Sequence, residues 1–173
     1  MVIKIEIGNI VDYDCDAIVN AANSGLRPGG GVCGAIFSAA GYEELKKECA
    51  KIGFCEVGHS VITDAYNLKA KYIIHTVGPV YKGIESKELL EKAYKSTLDL
   101  ADSMKLKSIA IPSISTGIYG YPKEEAAEIA IKTVCDYNAS FLETVVLVCY
   151  DFDTLLLYRK KYEEKDIDDF FKL

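Results

Sequence analysis

The chain has 173 residues, half of them hydrophobic, and a formal net charge of −6. That length suits one domain with a core large enough to need no disulfide staple. The acidic balance argues against binding bulk nucleic acid, whose backbone calls for a basic face. The six cysteines, Cys15, Cys33, Cys49, Cys55, Cys135 and Cys149, form no C-x-x-C pair, and His59 and His75 stand far from paired-ligand spacing. No zinc site and no cofactor is expected. The N-terminus alternates apolar and polar residues and lacks the basic and apolar blocks of a signal peptide. No apolar run approaches the ~20 residues of a membrane span. A reduced, cytoplasmic protein with no membrane contact is expected.

Residues 2–7 alternate and predict a strand ended by Gly8-Asn9. Residues 16–20 predict a second, buried strand, followed by a loop over 23–31 with Pro28 and three successive glycines. Helices are predicted over 32–40 and 42–51, separated by Gly41, and strands over 60–63 and 72–77, the latter stopped by Gly78-Pro79. Residues 88–104 predict an amphipathic helix with Leu90, Tyr94, Thr97 or Leu98, and Ala101 at helical spacing. A short strand over 109–111 leads into Pro112-Ser113. Then come a helix over 123–134, an apolar strand over 144–149 and a helix over 154–162. The acid-rich tail from about Glu163 is expected to be solvated.

Strands alternate with helices, and several strands are apolar on both faces. This predicts an α/β fold: one three-layer α/β/α domain over residues 1–173 with a mixed, mostly parallel central sheet. The mixed character is expected because the first two strands follow each other without a clear helix. A monomer is expected, since no second apolar face is evident.

Three strand-end loops carry the chemistry, because ligands of open α/β sheets collect at the carboxyl ends of strands. The first is Gly8-Asn9-Ile10. The second contains Asn20, Asn23 and Gly29, Gly30 and Gly31, and it runs into a helix whose free N–H groups form an anion site. Gly29, Gly31 and Gly34 match G-x-G-x-x-G, but about eight residues separate them from the strand, against a dinucleotide-binding oxidoreductase fold. The third loop, SISTGIYGYP, offers Ser115, Thr116 and Gly117 as donors to a second phosphate, and no Lys stands in a P-loop arrangement. Tyr119 reads either as a lid over a sugar or as core packing. Asn20 and Asn23 read as turn residues or as amides binding ribose hydroxyls. His75 is assigned to the core and His59 to a surface strand.

The segments IVNAANSGLRPGGGVCGAIFSAAG, VITDAYNLKAKYIIHTVGPVY and SISTGIYGYP, in this order and spacing, resemble the macro domain family over nearly the whole chain. The resemblance implies a cleft for ADP-ribose, as the free nucleotide, as O-acetyl-ADP-ribose or on an ADP-ribosylated protein. It places Asn9 and Ile10 at the adenine, with Tyr150, or alternatively Phe152, stacked on the ring. The family usually has Asp at the position of Asn9; the Asn amide oxygen would accept from the adenine amino group more weakly. Gly29, Gly30, Gly31 and Val32 would cradle the diphosphate together with Ser115, Thr116, Gly117, Ile118 and Tyr119. Asn23 would bind the distal ribose, with Tyr119 covering it.

The hydrolase-type branch commonly reads Val-Asp-Gly-Ala-Ile-His where this chain has Val32-Cys33-Gly34-Ala35-Ile36-Phe37. The implied reaction is attack of water at the distal ribose ester or anomeric carbon, with Asn23 orienting ribose and water and the ligand phosphate able to take the proton. Cys33 reads either as a base lowered by the helix N-terminus or as a small apolar filler. The alternative to a hydrolase is a reader that binds ADP-ribosylated protein without chemistry. Changing Asn23 to Ala should lower turnover more than affinity if the enzyme reading holds.

Overall fold

The computed structural model describes residues 1–171; the last two residues of the expected domain lie outside them. In chain order the strands are β1 (Val2–Ile7), β2 (Ala17–Ala21), β3 (Ser60–Asp64), β4 (Tyr72–Thr76), β5 (Ser108–Pro112) and β6 (Thr144–Cys149). The helices are α1 (Gly31–Ala40), α2 (Tyr42–Ile52), α3 (Ser86–Ser103), α4 (Lys123–Cys135) and α5 (Phe152–Phe171), with a 3-10 turn at Ile10–Asp12. All six strands lie in one sheet of order β1-β6-β5-β2-β4-β3. Only the β3–β4 pair is antiparallel.

The three layers follow from the period of two along each strand. Ala17, Val19, Ile74, Ile109, Ile111, Val145 and Leu147 face one core, shared with Leu90, Tyr94 and Leu98 of α3, Ala127 and Ile131 of α4 and Tyr158 of α5. Their neighbours Ile18, Ile73, Ala110, Val146 and Val148 face a second core with Ile36 and Phe37 of α1 and Leu45 and Cys49 of α2. A strand buried on both faces must be apolar at consecutive positions, which is why β6 reads TVVLVC.

The expected mixed sheet is present, but for another reason. β1 and β2 are not neighbours: β1 pairs with β6 at one edge, while β2 lies inside the sheet between β5 and β4. The antiparallel strand is β3, at the opposite edge.

The tail is a second correction. α5 does not end near Tyr162; it continues to Phe171 through the acid-rich segment. Lys161 and Lys165, one turn apart, tie it to α4 and to Asp136 just after it. Lys161 reaches Glu124 at 3.5 Å and Glu128 at 3.6 Å, and Lys165 reaches Asp136 at 2.8 Å. With no Gly or Pro to stop it, the helix runs on. Its far end exposes Ile167, Phe170 and Phe171, an apolar group that the expectation of no second apolar face did not include.

Candidate functional site

β2 and β5 are parallel neighbours, so the loops after them emerge side by side. The loop after β2 is first tightened into a turn. The Asn23 side chain donates from Nδ2 to the Arg27 carbonyl at 2.7 Å and accepts from the Arg27 N–H at 3.0 Å. Leu26 tucks beneath it, 3% exposed. The glycine run then folds onto the start of α1. A Cβ on Gly34 would lie 2.5 Å from the Gly29 carbonyl oxygen, and Gly31 has φ +56°. Only glycine meets both demands cheaply.

The loop over residues 113–120 is anchored from below. The Tyr94 hydroxyl accepts from the Ile114 N–H at 3.2 Å, and the Tyr158 hydroxyl donates to Ser113 Oγ at 3.2 Å. Ser115 adopts φ +67°, and its carbonyl accepts from the Tyr121 N–H at 2.9 Å. Its buried hydroxyl has no hydrogen-bond partner among the described residues. Thr116 turns its hydroxyl back onto the Ser113 carbonyl at 3.1 Å and Ser113 Oγ at 3.0 Å. A Cβ on Gly78 would meet Ser115 Oγ at 2.2 Å, so the close fit of this loop requires that glycine.

Two cavities, about 270 and 510 Å³, open between these loops, and Gly31, Val32, Ser113 and Gly117 line both. The smaller is lined further by Asn23, Gly29, Gly30, Cys33, Ser115, Ile118 and Tyr119. The larger is lined by Asn9, Ile10, Thr116 and Tyr150, with Tyr150 83% exposed. Of the residues expected in the site, Asn20 lines neither cavity, nor does Phe152, the alternative stacking residue. Sequence reasoning missed Gly78, Ser113, Lys123, Asp151 and Thr154. Asp151 had a readable signal: it stands three residues before Thr154 at a helix start, and its Oδ1 accepts from the Thr154 N–H at 2.7 Å, as an N-cap does.

Asn20 is corrected by strand alternation. It shares the face of Ile18 and lies 1% exposed beneath the cleft. Thr63 donates to the Asp64 carbonyl at 3.1 Å and so accepts from His75 Nε2–H at 2.8 Å. That fixes His75 Nδ1 as an acceptor for Asn20 Nδ2 at 3.1 Å. The same Nδ2 reaches Cys33 Sγ at 3.7 Å. Asn20 therefore joins the buried His75 to Cys33 and does not reach the cleft surface. His59 sits in the turn before β3, its ring 3.6 Å from the Glu56 carboxylate.

Cys33 is 7% exposed, and its thiol approaches the Arg27 carbonyl at 3.6 Å. Burial pushes the thiol above its ordinary pKa; the Asn20 amide and the Gly29 backbone oppose this only in part. Of the two readings of Cys33, the raised pKa and the burial favour the small apolar filler over the base.

Burial lowers the His75 pKa from 6.5 to about 4. The folded state therefore favours neutral imidazole. Its contribution to stability is fully present above pH 6.5 and is lost as pH falls toward about 4. The full loss is about 3 kcal/mol at 1.36 kcal/mol per unit. Denaturant midpoints measured from pH 7 to pH 4 should show this slope in the wild type and lose it in His75→Gln; an equal slope in both would refute the assignment.

A sequence profile of the macro domain matches residues 19–130. The chain is 49% identical over 169 residues to the O-acetyl-ADP-ribose deacetylase of Salmonella gallinarum, spanning 93% of this chain and 94% of that protein. The Oceanobacillus iheyensis macrodomain with ADP is similar in structure, with a TM-score of 0.89 at 37% identity over 94% of this chain and 90% of that one. The Trypanosoma brucei macrodomain in complex with ADP-ribose superimposes with a TM-score of 0.83 at 39% identity, over 91% and 68% of the two chains.

Proposed function

The chain belongs to the macro domain family, and on that premise we propose that it binds ADP-ribose along the joined cleft and slowly hydrolyses ADP-ribose esters. One observation carries the reading: two cavities of different character meet between two glycine-containing loops. The junction suits a diphosphate. The N-terminus of α1 and the turns of residues 113–120 supply uncharged donors, so an acidic protein needs no cation there. The larger cavity, with Ile10, Tyr150 and Asn9, suits the base. The smaller, with Asn23, Cys33 and Tyr119, suits the distal ribose. The whole chain acts in this reading as one domain, since residues 8–10 and 148–154 line the base cavity together with the loops from the middle of the chain.

In the reaction, water adds to the ester carbonyl at the distal ribose and the ribose oxygen leaves, giving ADP-ribose and the free acid. Asn23 still has one amide hydrogen and one oxygen lone pair beyond its two bonds to Arg27, enough to orient the ribose and the water. Cys33 stays a neutral thiol at pH 7 and does not serve as base, so the ligand phosphate takes the proton. A missing side-chain base costs about 10²–10⁴ in rate. The same protonated thiol favours the second reading, a binding module without turnover.

Calorimetry with ADP-ribose, followed by O-acetyl-ADP-ribose and an assay for released acetate, separates the cases. Binding with slow turnover supports the hydrolase, binding alone supports the reader, and no binding refutes both. Asn23→Ala no longer divides them cleanly, because it also releases the Arg27 turn and so lowers affinity in either case. Tyr150→Ala should weaken ADP-ribose binding about 5- to 100-fold, the range for one lost base–aromatic stack, with unchanged thermal stability. The side chain is exposed, so a drop in stability would point to a packing role. No helix among the described residues is long and apolar enough to cross a membrane. Six unpaired thiols support placing the protein in the cytoplasm.

A further inference from the structure

We propose that β1 is a docking edge for a second copy of this chain: two β1 strands pair antiparallel about Ile5, and Lys4 of each copy lies opposite Glu6 of the other. This pairing does not depend on what the cleft binds.

β1 stands at one end of the sheet, with β6 on one side and no strand on the other. The N–H groups of Val2 and Gly8 donate toward the β6 side, to the Glu143 carbonyl at 2.7 Å and the Cys149 carbonyl at 3.0 Å. Backbone groups alternate between the two sides along a strand paired in parallel. Lys4 and Glu6 therefore also face β6, while Ile3, Ile5 and Ile7 turn their N–H and C=O groups to the open edge. Among the described residues none hydrogen-bonds these outward groups. The opposite edge differs: on β3 the Asp64 N–H is taken by the Glu48 carboxylate at 3.2 Å. An unpaired row of backbone donors and acceptors is a template for another strand.

The sequence of this strand, VIKIEI, specifies its partner. Turning it about Ile5 sets Ile5 opposite itself, Ile3 opposite Ile7 and Lys4 opposite Glu6. The three outward residues then exchange backbone bonds as hydrogen-bonded pairs. Lys4 and Glu6 fall in the alternate pairs, where side chains stand closest and opposite charges attract. Sliding by two residues in either direction keeps the backbone bonds but sets Lys4 against Lys4, or Glu6 against Glu6. Like charges directly opposite are destabilising, so one register is favoured and its neighbours are rejected. Lys4 is exposed and has no ion pair among the described residues. Glu6 is exposed too; it accepts from the Tyr13 hydroxyl at 3.2 Å and keeps further lone pairs for a lysine. On the other face Ile7 is 51% exposed, and Ile3 and Ile5 are half-buried, so pairing also removes apolar surface from water.

Antiparallel pairing points the strand ends of the two copies in opposite directions. The cleft lies at the carboxyl ends of the strands, so the two clefts open on opposite sides of the pair. A single six-residue edge buries less than the ~1,200 Å² of a standard interface. The dimer is accordingly transient, with a Kd of about 10–500 µM. It weakens with salt, because its charges lie at the surface. The expectation of a monomer rested on apolar faces; an open strand edge is a separate route to association.

Sedimentation equilibrium and amide hydrogen exchange of the full chain, from about 10 µM to about 1 mM at low salt, test the pairing. The mean mass should rise from one chain toward two. The Ile3, Ile5 and Ile7 amides should gain protection as it rises, while those of Lys4 and Glu6, already bonded to β6, should not change. Lys4→Glu should weaken the dimer about five- to hundredfold. Glu6→Lys should weaken it to a similar degree, although it makes the chain less acidic. The two changes together restore opposite charges in the same register and should return the constant to within about threefold of the wild type. A single-chain mass throughout, or dimers whose Ile3, Ile5 and Ile7 amides stay unprotected, would overturn the proposal. So would a Glu6→Lys variant that pairs more tightly than the wild type, or a double variant no tighter than the single ones.

Discussion

Cys33→Asp is expected to raise turnover of O-acetyl-ADP-ribose by about 10²- to 10⁴-fold, the usual contribution of a positioned base. The site is already shaped for an anion at this position. Residue 33 lies in the first turn of α1, at the positive end of the helix. The Asn20 amide and the Gly29 backbone, which act on the thiol in the direction that favours its ionised form, would do the same for a carboxylate. Asn20 cannot readily turn away, because Thr63 and His75 fix which end of its amide faces Cys33. A carboxylate is similar in size to a thiol, so little repacking is needed. ADP-ribose affinity should change less than about threefold, the pattern of an interaction made mainly in the transition state. Burial should raise the new carboxyl's pKa, so the rate should climb with pH through that value. The check is saturating kinetics of acetate release across pH 4–8. An unchanged rate would mean that residue 33 is remote from the attacking water.

Gly78→Ala is expected to weaken ADP-ribose binding about 10- to 100-fold and to lower stability by about 1–3 kcal/mol, the cost of overpacking a filled core. The added methyl would stand 2.2 Å from Ser115 Oγ and 2.5 Å from Ile114 Cγ2. Neither neighbour can give easily. Ile114 is 1% exposed and its N–H is held by the Tyr94 hydroxyl; Ser115 is already at φ +67°. The strain must pass to the rest of the loop over residues 113–120, which forms one wall of both cavities. Calorimetry and thermal unfolding on the same variant give the two numbers. Normal affinity with reduced stability would show that the loop can move without cost to the cleft.

The elements were legible because their burial is local in sequence. The period of two in β1 and the run of apolar residues in β6 placed both strands at their observed bounds, and the helical spacing of Leu90, Tyr94 and Leu98 found α3. Strand order was not legible in the same way. Periodicity says which residues face a core but not which strand lies alongside, so the succession of β1 and β2 suggests the mixed sheet while the antiparallel strand is β3. The exposure of the acid-rich tail is legible in its charge, since residues 166–171 are exposed, but its helical state is not: Lys161 and Lys165 pair with Glu124, Glu128 and Asp136, on and just after α4 and more than twenty residues away. The two asparagines show the same limit within the site. Both flank Ala21-Ala22 in the sequence, yet one is buried against His75 and the other grips the Arg27 turn. Gly78 was read only as a strand stop, because its contact with Ser115 spans a fold and not a motif.

The edge position of β1 sets an order of events during synthesis. Within this sheet β1 is made before every other strand and, among the described residues, pairs with β6, which is made after them, so Ile3 and Ile5 wait unseated until residues 144–149 emerge. Gly8, Asn9 and Ile10 hang from that strand, and Tyr150, Asp151 and Thr154 follow β6 directly. The loops after β2 and β5, proposed to hold the diphosphate, come from the interior of the chain and can be in place earlier. Pairings between distant segments form slowly. The half of the cleft proposed for the nucleobase is therefore the last part of the site to mature, and a nascent chain stalled before residue 144 would lack Val148, Tyr150, Asp151 and Thr154 of its wall.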